Sequence, residues 1–382
     1  MSIAETSIKR GGVAYYPPKG RAWEGIDAAA AGADPKKLVA AADFAMRHES
    51  PWPRDLDDAG SVPGLTEIEP PPWNEALGPF KPRGGPNGLV LKGGRILAQW
   101  GDPARIDMTF SIAKSYLACL AGLAVGDGLI PDIDRPVAET VSAPEFASDR
   151  NALVTWRHLL TQTSEWEGTL FSKPDLVDRN RQVGAGGDNS RKGTHRDLAA
   201  PGSYWEYNDV RVNVLSLALL QVFRQPLPQV LKARIMGPIG ASDGWSWHGY
   251  RNSAVEIDGQ TMVSVPGGTH WGGGIQIDSF DHARFALLIQ RDGVWEGRRL
   301  LPQGWTDQMR APSVINDGYG FLWWLNTGRR EWPAASEQAY AAIGAGTNII
   351  LIDPAHDLVM VARWVDGEAV QDLVAHVIGA LA

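Results

Sequence analysis

Residues 110–128 read Phe110-Ser-Ile-Ala-Lys-Ser-Tyr-Leu-Ala-Cys-Leu-Ala-Gly-Leu-Ala-Val-Gly-Asp-Gly128. From Phe110 to Val125 the pattern is apolar almost all round, and it stops at Gly126-Asp-Gly128. That predicts a buried helix with a glycine stop, running through the centre of the protein. Ser111-Ile-Ala-Lys114 places a hydroxyl and an amine one helical turn apart. Lys114 has Ile112, Ala113, Tyr116, Leu117, Ala118 and Leu120 as neighbours, and an ammonium among them is costly unless it is paired or neutral. A neutral lysine beside a serine hydroxyl is a general base, and the serine is the nucleophile it activates. The plainer alternative has Lys114 reaching the surface and Ser111 only capping the helix.

Upstream of this helix, Leu89-Val-Leu-Lys92 and Arg95-Ile-Leu-Ala-Gln-Trp100 flank Gly93-Gly94, the signature of two strands joined by a turn that needs positive φ. Near the other end of the chain, Asn348-Ile-Ile-Leu-Ile-Asp353 and Leu358-Val-Met-Val-Ala-Arg-Trp364 flank a Pro354–Asp357 turn and read as a second hairpin. A helix is expected around Ser279–Arg291 and another from about Glu368. Between these ends, helical stretches at Trp156–Thr163, Val210–Phe223 and Leu227–Arg234 alternate with polar loops, notably 184–196, and no strand pattern stands out from about 130 to 255. Residues 51–87 hold nine prolines and read as an extended arm or surface wrap. The expectation is an α/β part plus an all-α part: a mixed antiparallel sheet formed from both chain ends and flanked by helices, with a helical insertion. The divisions are an N-terminal extension, 1–87; a sheet domain, 88–129 and 260–382; and a mostly helical domain, 130–259.

Two further segments attract attention. Pro201-Gly-Ser-Tyr-Trp-Glu-Tyr207-Asn208-Asp209 runs into the apolar helix from Val210, with Asn208 or Asp209 as N-cap. Tyr207 then sits at the positive end of a helix, where a phenolate is favoured and the side chain can relay protons. Taken alone, simple capping and packing explain this segment better. Ile343-Gly344-Ala345-Gly346-Thr347 leads into the strand from Asn348. Small residues on an edge strand leave room for a substrate and offer a backbone N–H to an oxyanion.

The chain has 382 residues, 44% of them apolar and 21% charged, with a net charge of −8. Disordered and fibrous classes are excluded, and there is no basic field for nucleic acid or an anionic membrane. No run approaches a membrane span and the first ten residues lack a secretory signal, so a cytoplasmic protein is expected. No metal-ligand spacing or phosphate loop is present among the motifs, and no cofactor is expected. Gly240-Ala-Ser242-Asp-Gly244 matches the nucleophile elbow of α/β-hydrolases, with His270, His282 and His356 downstream. Its context opposes that role, since no apolar strand precedes it and no helix follows.

The order Ser-x-x-Lys, then a Tyr-x-Asn-like segment, then a Gly-rich strand resembles the serine β-lactamase and penicillin-binding protein superfamily. Class C β-lactamases, family VIII carboxylesterases and 6-aminohexanoate-dimer hydrolases are most similar. The similarity runs through Phe110-Ser-Ile-Ala-Lys-Ser115, His158-Leu-Leu-Thr-Gln-Thr-Ser164, Pro201-Gly, Tyr207-Asn-Asp209, Gly237-Pro-Ile-Gly240, Gly272-Gly-Gly274 and Asp353-Pro354. It implies Ser111 as nucleophile, Lys114 as its base, Tyr207 as proton relay, and the N–H groups of Ser111 and Thr347 as the oxyanion hole. Trp166, Trp205, Asp209, Trp271, Gly344, Ala345 and Gly346 are implied around the substrate. Two positions depart from the family pattern. Asp209 stands where an asparagine is usual, and it would hold a charge on Lys114 if it faces the site. Gly344-Ala-Gly346 stands in place of a Lys-Thr-Gly strand, leaving no cation there for the carboxylate of a β-lactam. The resemblance therefore implies a serine hydrolase of neutral, short-chain or aromatic carboxylic esters. Amides of the aminohexanoate-dimer kind, β-lactams, or a catalytically silent ligand-binding role are the alternatives. The expected partner is a small-molecule ester or amide.

Overall fold

A computed structural model describes residues 14–381 other than 21, 57–68, 184–186 and 269. Helix α1 is Pro35–Arg47, capped by the Asp34 side chain, which accepts from the N–H of Lys36 and Lys37. Strands β1 (Asn87–Lys92) and β2 (Arg95–Trp100) form the expected hairpin, with Gly93 and Gly94 at φ 60° and 86°. The predicted central helix is α2, Ile112–Gly126, buried from Ile112 through Ala124. Helix α3 is Asp209–Phe223, α4 is Ser279–Gln290, and strands β3 to β6 are Trp324–Leu325, Tyr340–Gly344, Asn348–Asp353 and Leu358–Arg363. Helix α5, Val370–Gly379, follows a short 3-10 turn at Gly367–Ala369.

The sheet order is β3-β4-β5-β6-β1-β2, so the two chain ends meet where β1 pairs antiparallel with β6, from Asn87↔Arg363 to Lys92↔Leu358. Side chains alternate across a strand, and the two faces bury different cores. Leu89, Leu91, Ile350, Ile352, Val359 and Val361 join α2, α3 and α4 on one face. Val90, Ile349, Leu351, Leu358, Met360 and Ala362 join α1 and α5 on the other. The apolar runs of β5 and β6 follow from this, because each strand is covered on both sides.

Between residues 130 and 259 the chain is less purely helical than expected. Short paired strands lie at Thr169–Leu170 with Lys173–Pro174 and at Ala254–Ile257 with Gln260–Val263, while Ser246–His248 pairs with Gly274–Ile277. These two- to four-residue strands are too short to give a readable alternation. The stretch from Leu227 is a helix only to Leu231 and then widens into a π-turn at Lys232–Met236 before Gly237-Pro238. Helix α3 packs on α2 within one continuous core, so the insertion and the sheet share their apolar interior. Residues 51–56 and 69–86 of the arm contain no helix or strand. They are tied down by Arg83, which donates to Glu49 and to the carbonyls of Ser50 and Pro53, and by Leu77 N–H donating to the Trp271 carbonyl.

Candidate active site

Phe110 takes a left-handed φ of +49° and turns the chain from a short strand, Asp107–Met108, into α2. Ser111 sits at the N-cap but makes no capping bond. Its Oγ instead accepts from Lys114 Nζ at 2.7 Å. Lys114 is 1% exposed, and its ammonium has two other partners: the Gly267 carbonyl at 2.9 Å and Asp209 Oδ1 at 2.7 Å. The Tyr207 side chain is a further hydrogen-bond partner of the amine. Burial disfavours the ammonium, but the Asp209 carboxylate and Tyr207 outweigh it and hold Lys114 above its ordinary value. The lysine therefore rests as a cation, and the expectation of a neutral base does not describe this resting state.

Helix α3 delivers the next two residues with separate tasks. Asn208 is the N-cap, its side chain accepting from the N–H of Arg211, which frees Asp209 to face the amine. Burial opposes ionisation of Asp209, yet Lys114 and Arg181 hold its carboxyl far below the usual carboxylate range. Tyr207 precedes the cap and lies stacked on Trp324, with Lys114 Nζ 4.8 Å from its ring centroid. Gln162, within the His158–Ser164 segment, fixes this stretch by accepting from Asn208 N–H through its side chain and from Glu206 N–H through its carbonyl.

A loop that escaped the sequence reading closes over the amine. A Cβ on Gly268 would lie 2.6 Å from Lys114 Nζ and 2.7 Å from the Asp209 carboxylate, so only glycine allows this approach. Asn213 of α3 accepts from the N–H groups of Gly267 and Gly268 and holds the loop there. Gly344, at the end of β4, is equally constrained, because a Cβ would fall 2.1 Å from the Thr109 carbonyl. That contact lays the strand against the Ser111 backbone. β4 is an edge strand only over this last part, since β3 covers Tyr340 and Ala341.

Ser111 opens into a cavity of about 100 Å3. Of the residues expected around a substrate, Asp209, Trp271 and Ala345 line it. Trp166 does not: it is 1% exposed in the core, its indole N–H donating to the Glu145 carbonyl. Trp205 packs behind Tyr207 on Tyr319 and Trp324. Gly346 faces the Trp364 ring, and Thr347, at φ +59°, accepts from the Trp364 N–H through its carbonyl. Thr347 does not line the cavity. The cavity also takes Trp52 and Glu69 from the arm, Arg181 and His270. Trp52, Phe110 and Trp271 form an aromatic wall with ring centroids 5.6–6.0 Å apart. Glu69 makes a buried ion pair with Lys173, although burial still raises its carboxyl. His270 donates from Nε2 to the Phe171 carbonyl, and burial pushes its imidazole down to about 4. Arg181 sits in a polar stretch that looks solvated, and nothing in the sequence marks it.

The rival serine is spoken for: Ser242 Oγ donates to Asp281 at 2.6 Å, and His282 bonds Thr109 and Tyr116. Among the described residues no cluster of His, Cys, Asp and Glu could hold a metal ion, and no helix is long and apolar enough to cross a membrane.

A sheet closed from both chain ends over a helix that carries serine and lysine one turn apart is the β-lactamase/transpeptidase-like class of fold. The profile of the Beta-lactamase family matches residues 89–365, and the chain belongs to that family. Solved structures agree on the fold. EstCE1, a hydrolase with promiscuous acyltransferase activity, is 14% identical, with a TM-score of 0.58 over 91% of this chain and 98% of that one. A provisionally assigned 6-aminohexanoate-dimer hydrolase of Bacillus anthracis is 15% identical, with a TM-score of 0.55 over 77% of this chain and 79% of that one. A penicillin-binding protein homologue of Caulobacter crescentus is 14% identical, with a TM-score of 0.55 over 78% and 92%. Among curated proteins none matches this sequence.

Proposed function

We propose that this protein is a serine hydrolase that cleaves carboxylic esters through a covalent acyl-enzyme on Ser111. The observation that supports it most is the 2.7 Å contact between Ser111 Oγ and the buried Lys114 amine at the wall of an aromatic-sided cavity. Because Asp209 keeps Lys114 an ammonium, Tyr207 is the base of this scheme: once deprotonated, its oxygen takes the Ser111 proton, with Lys114 bridging the two residues by hydrogen bonds. Ser111 Oγ attacks the ester carbon and the carbonyl becomes an oxyanion, held by the N–H groups of Ser111 and Ala345. The carbon–oxygen bond to the alcohol breaks, and the alcohol leaves with the proton from Tyr207. Water, deprotonated by the same phenolate, then attacks the acyl carbon; Ser111 leaves with that proton and the acid is released.

The cavity is small for a drug-sized ligand, since such pockets usually exceed about 300 Å3, and a short or flat acyl group suits it. The end of β4, Ala342-Ile-Gly344 and then Ala345, bears no cation, which favours uncharged esters over β-lactams. The fold likeness to EstCE1 covers 91% of the chain, in keeping with the esterase reading. The test is labelling with a fluorophosphonate probe beside a nitrophenyl acetate-to-octanoate series and nitrocefin. Labelling lost in Ser111→Ala but kept in Ser242→Ala, with short esters turned over faster than nitrocefin, is expected. A label on Ser242, or nitrocefin outpacing every ester, would overturn the reading.

A further inference from the structure

Asp209 is shared. Its Oδ1 faces Lys114 at 2.7 Å, and its Oδ2 accepts from Arg181 Nη1 at 3.0 Å. Arg181 also lies over Tyr207, its guanidinium carbon 5.2 Å from the ring centroid, while Lys114 Nζ is 4.8 Å from the same centroid. The tyrosine and the carboxylate are thus held between the same two cations. Arg181 is not a solvated side chain that happens to swing inward. It is 15% exposed. The residue before it, Asn180, takes a left-handed φ of +59°, with its N–H on the Glu206 carboxylate at 2.8 Å and its side-chain amide on the Thr194 carbonyl at 2.9 Å. That backbone is pinned to deliver Arg181 to the cavity wall.

From this geometry we infer that Arg181 is a positioning residue for the Ser111 centre: it orients Asp209 and sets, by its charge, the pH range in which Lys114 and Tyr207 exchange protons. The inference rests on the acyl-enzyme reading above for its catalytic consequence, though not for its electrostatic one. A guanidinium stays charged at every working pH, and the carboxylates of Asp209 and Asp178 hold this one more firmly still against the cost of burial. It divides the pull of Asp209 between two cations, so Lys114 feels less of that carboxylate than it otherwise would. The charged or titratable groups around it are Asp209 and Tyr207 beside α3, Lys114 from α2, Asp178 at 3.6 Å with its partner Lys192, and Glu69 from the arm. Among the described residues no other cation is paired with Asp209 Oδ2. Lys192 is spent on Asp178, and Lys173 is paired with Glu69.

The sign of the effect follows. Without Arg181 the centre loses one fixed positive charge, its remaining protons are held more tightly, and the basic limb of the rate profile moves to higher pH by about one unit. Asp209→Asn moves it the other way. We would measure kcat and KM against pH for nitrophenyl acetate with wild type, Arg181→Gln and Arg181→Lys. In parallel, the phenolate absorbance of Tyr207 would be titrated in Ser111→Ala protein with and without Arg181→Gln, using Tyr207→Phe as the blank. Expected are an upward shift with Gln, carried by kcat more than KM, near-restoration of the limb by Lys, and the same upward shift in the phenolate titration. An unmoved limb and titration in folded Arg181→Gln, or a Lys variant displaced as far as Gln, would make Arg181 merely structural and overturn the inference. If Arg181→Gln does not fold, the Lys variant alone decides between charge and shape. Absence of turnover in wild type together with a shifted titration would remove the esterase reading and leave this inference standing.

Discussion

Asp209 Oδ1 lies 2.7 Å from Lys114 Nζ, one position after the residue that caps its helix. The usual dual reading of an Asn-Asp pair at a helix start therefore resolves into two jobs. Asn208 caps the start of the helix, and Asp209 fixes the charge of the amine beside the serine.

Asp209→Asn is expected to move the basic limb of the rate profile to lower pH, because the ammonium loses the anion that stabilises it. Asn208 keeps the cap, so the helix start survives. Stability falls by about 3–5 kcal/mol, the usual effect of stranding a buried partner. In wild type, the folded-state carboxyl of Asp209 lies below its unfolded value of about 4. Its contribution is full above that value and is lost as the pH falls through the folded one. Denaturant melts at pH 7 and pH 3 measure this: the gap between wild type and Asp209→Asn should narrow at the lower pH.

Lys114→Ala and Tyr207→Phe should each lower kcat by about 10² to 10⁴, the range for a positioned acid or base. Their effects should not add, since both serve one proton path. Single-turnover rates on nitrophenyl acetate test this, and near-normal turnover by either variant refutes the path.

Gly344→Ala pushes a methyl into the Thr109 carbonyl, 2.1 Å from where the new carbon would sit. The end of β4 must then move away from Ser111 and carry the Ala345 N–H with it. A loss of about 10² to 10³ in kcat is expected, comparable to deleting one oxyanion donor, with KM changing less. Equal losses in kcat and binding would point to a collapsed cavity instead.

Lys173→Ala removes the partner of Glu69 inside the protein, where the two side chains are 0% and 8% exposed. Breaking a buried pair from one side costs about 3–5 kcal/mol. Because Glu69 belongs to the arm and lines the cavity, limited proteolysis of residues 69–86 should accelerate in the same variant.

The architecture was legible in the sequence wherever a pattern is long. The apolar helix ending at Gly126, the Gly93-Gly94 turn and the strands at Asn348 and Leu358 announce themselves by periodicity and punctuation, and each lies within two residues of its expected bounds. Ser111, Lys114 and Tyr207 stood out because hydroxyl, amine and phenol interrupt apolar or capping patterns. Arg181, Glu69 and Trp52 did not, because each lies in a polar or proline-rich loop whose local composition looks the same whether it faces water or a cavity. Gly268 was hidden for a related reason: a glycine that leaves room for another side chain differs from a turn glycine only in three dimensions. Ala345 and Thr347 could not be told apart in the sequence, because in a loop of small residues no side chain marks which of them lines the cavity.

The pairing of β1 with β6 also has a consequence for how the protein is made on the ribosome. Ser111 and Lys114 are translated well over 200 residues before Leu358–Arg363, the strand that completes the sheet around β1. Until then one edge of the first hairpin stays open, and such an edge invites pairing with another chain. Over that span the nascent polypeptide carries Ser111 without the strand that joins the first hairpin to Asn348–Asp353 and, through it, to Tyr340–Gly344. The cavity beside Ser111 can take its final shape only once Leu358–Arg363 has left the ribosome, and chaperone holding of the unfinished sheet should govern yield more than the chemistry of the site does.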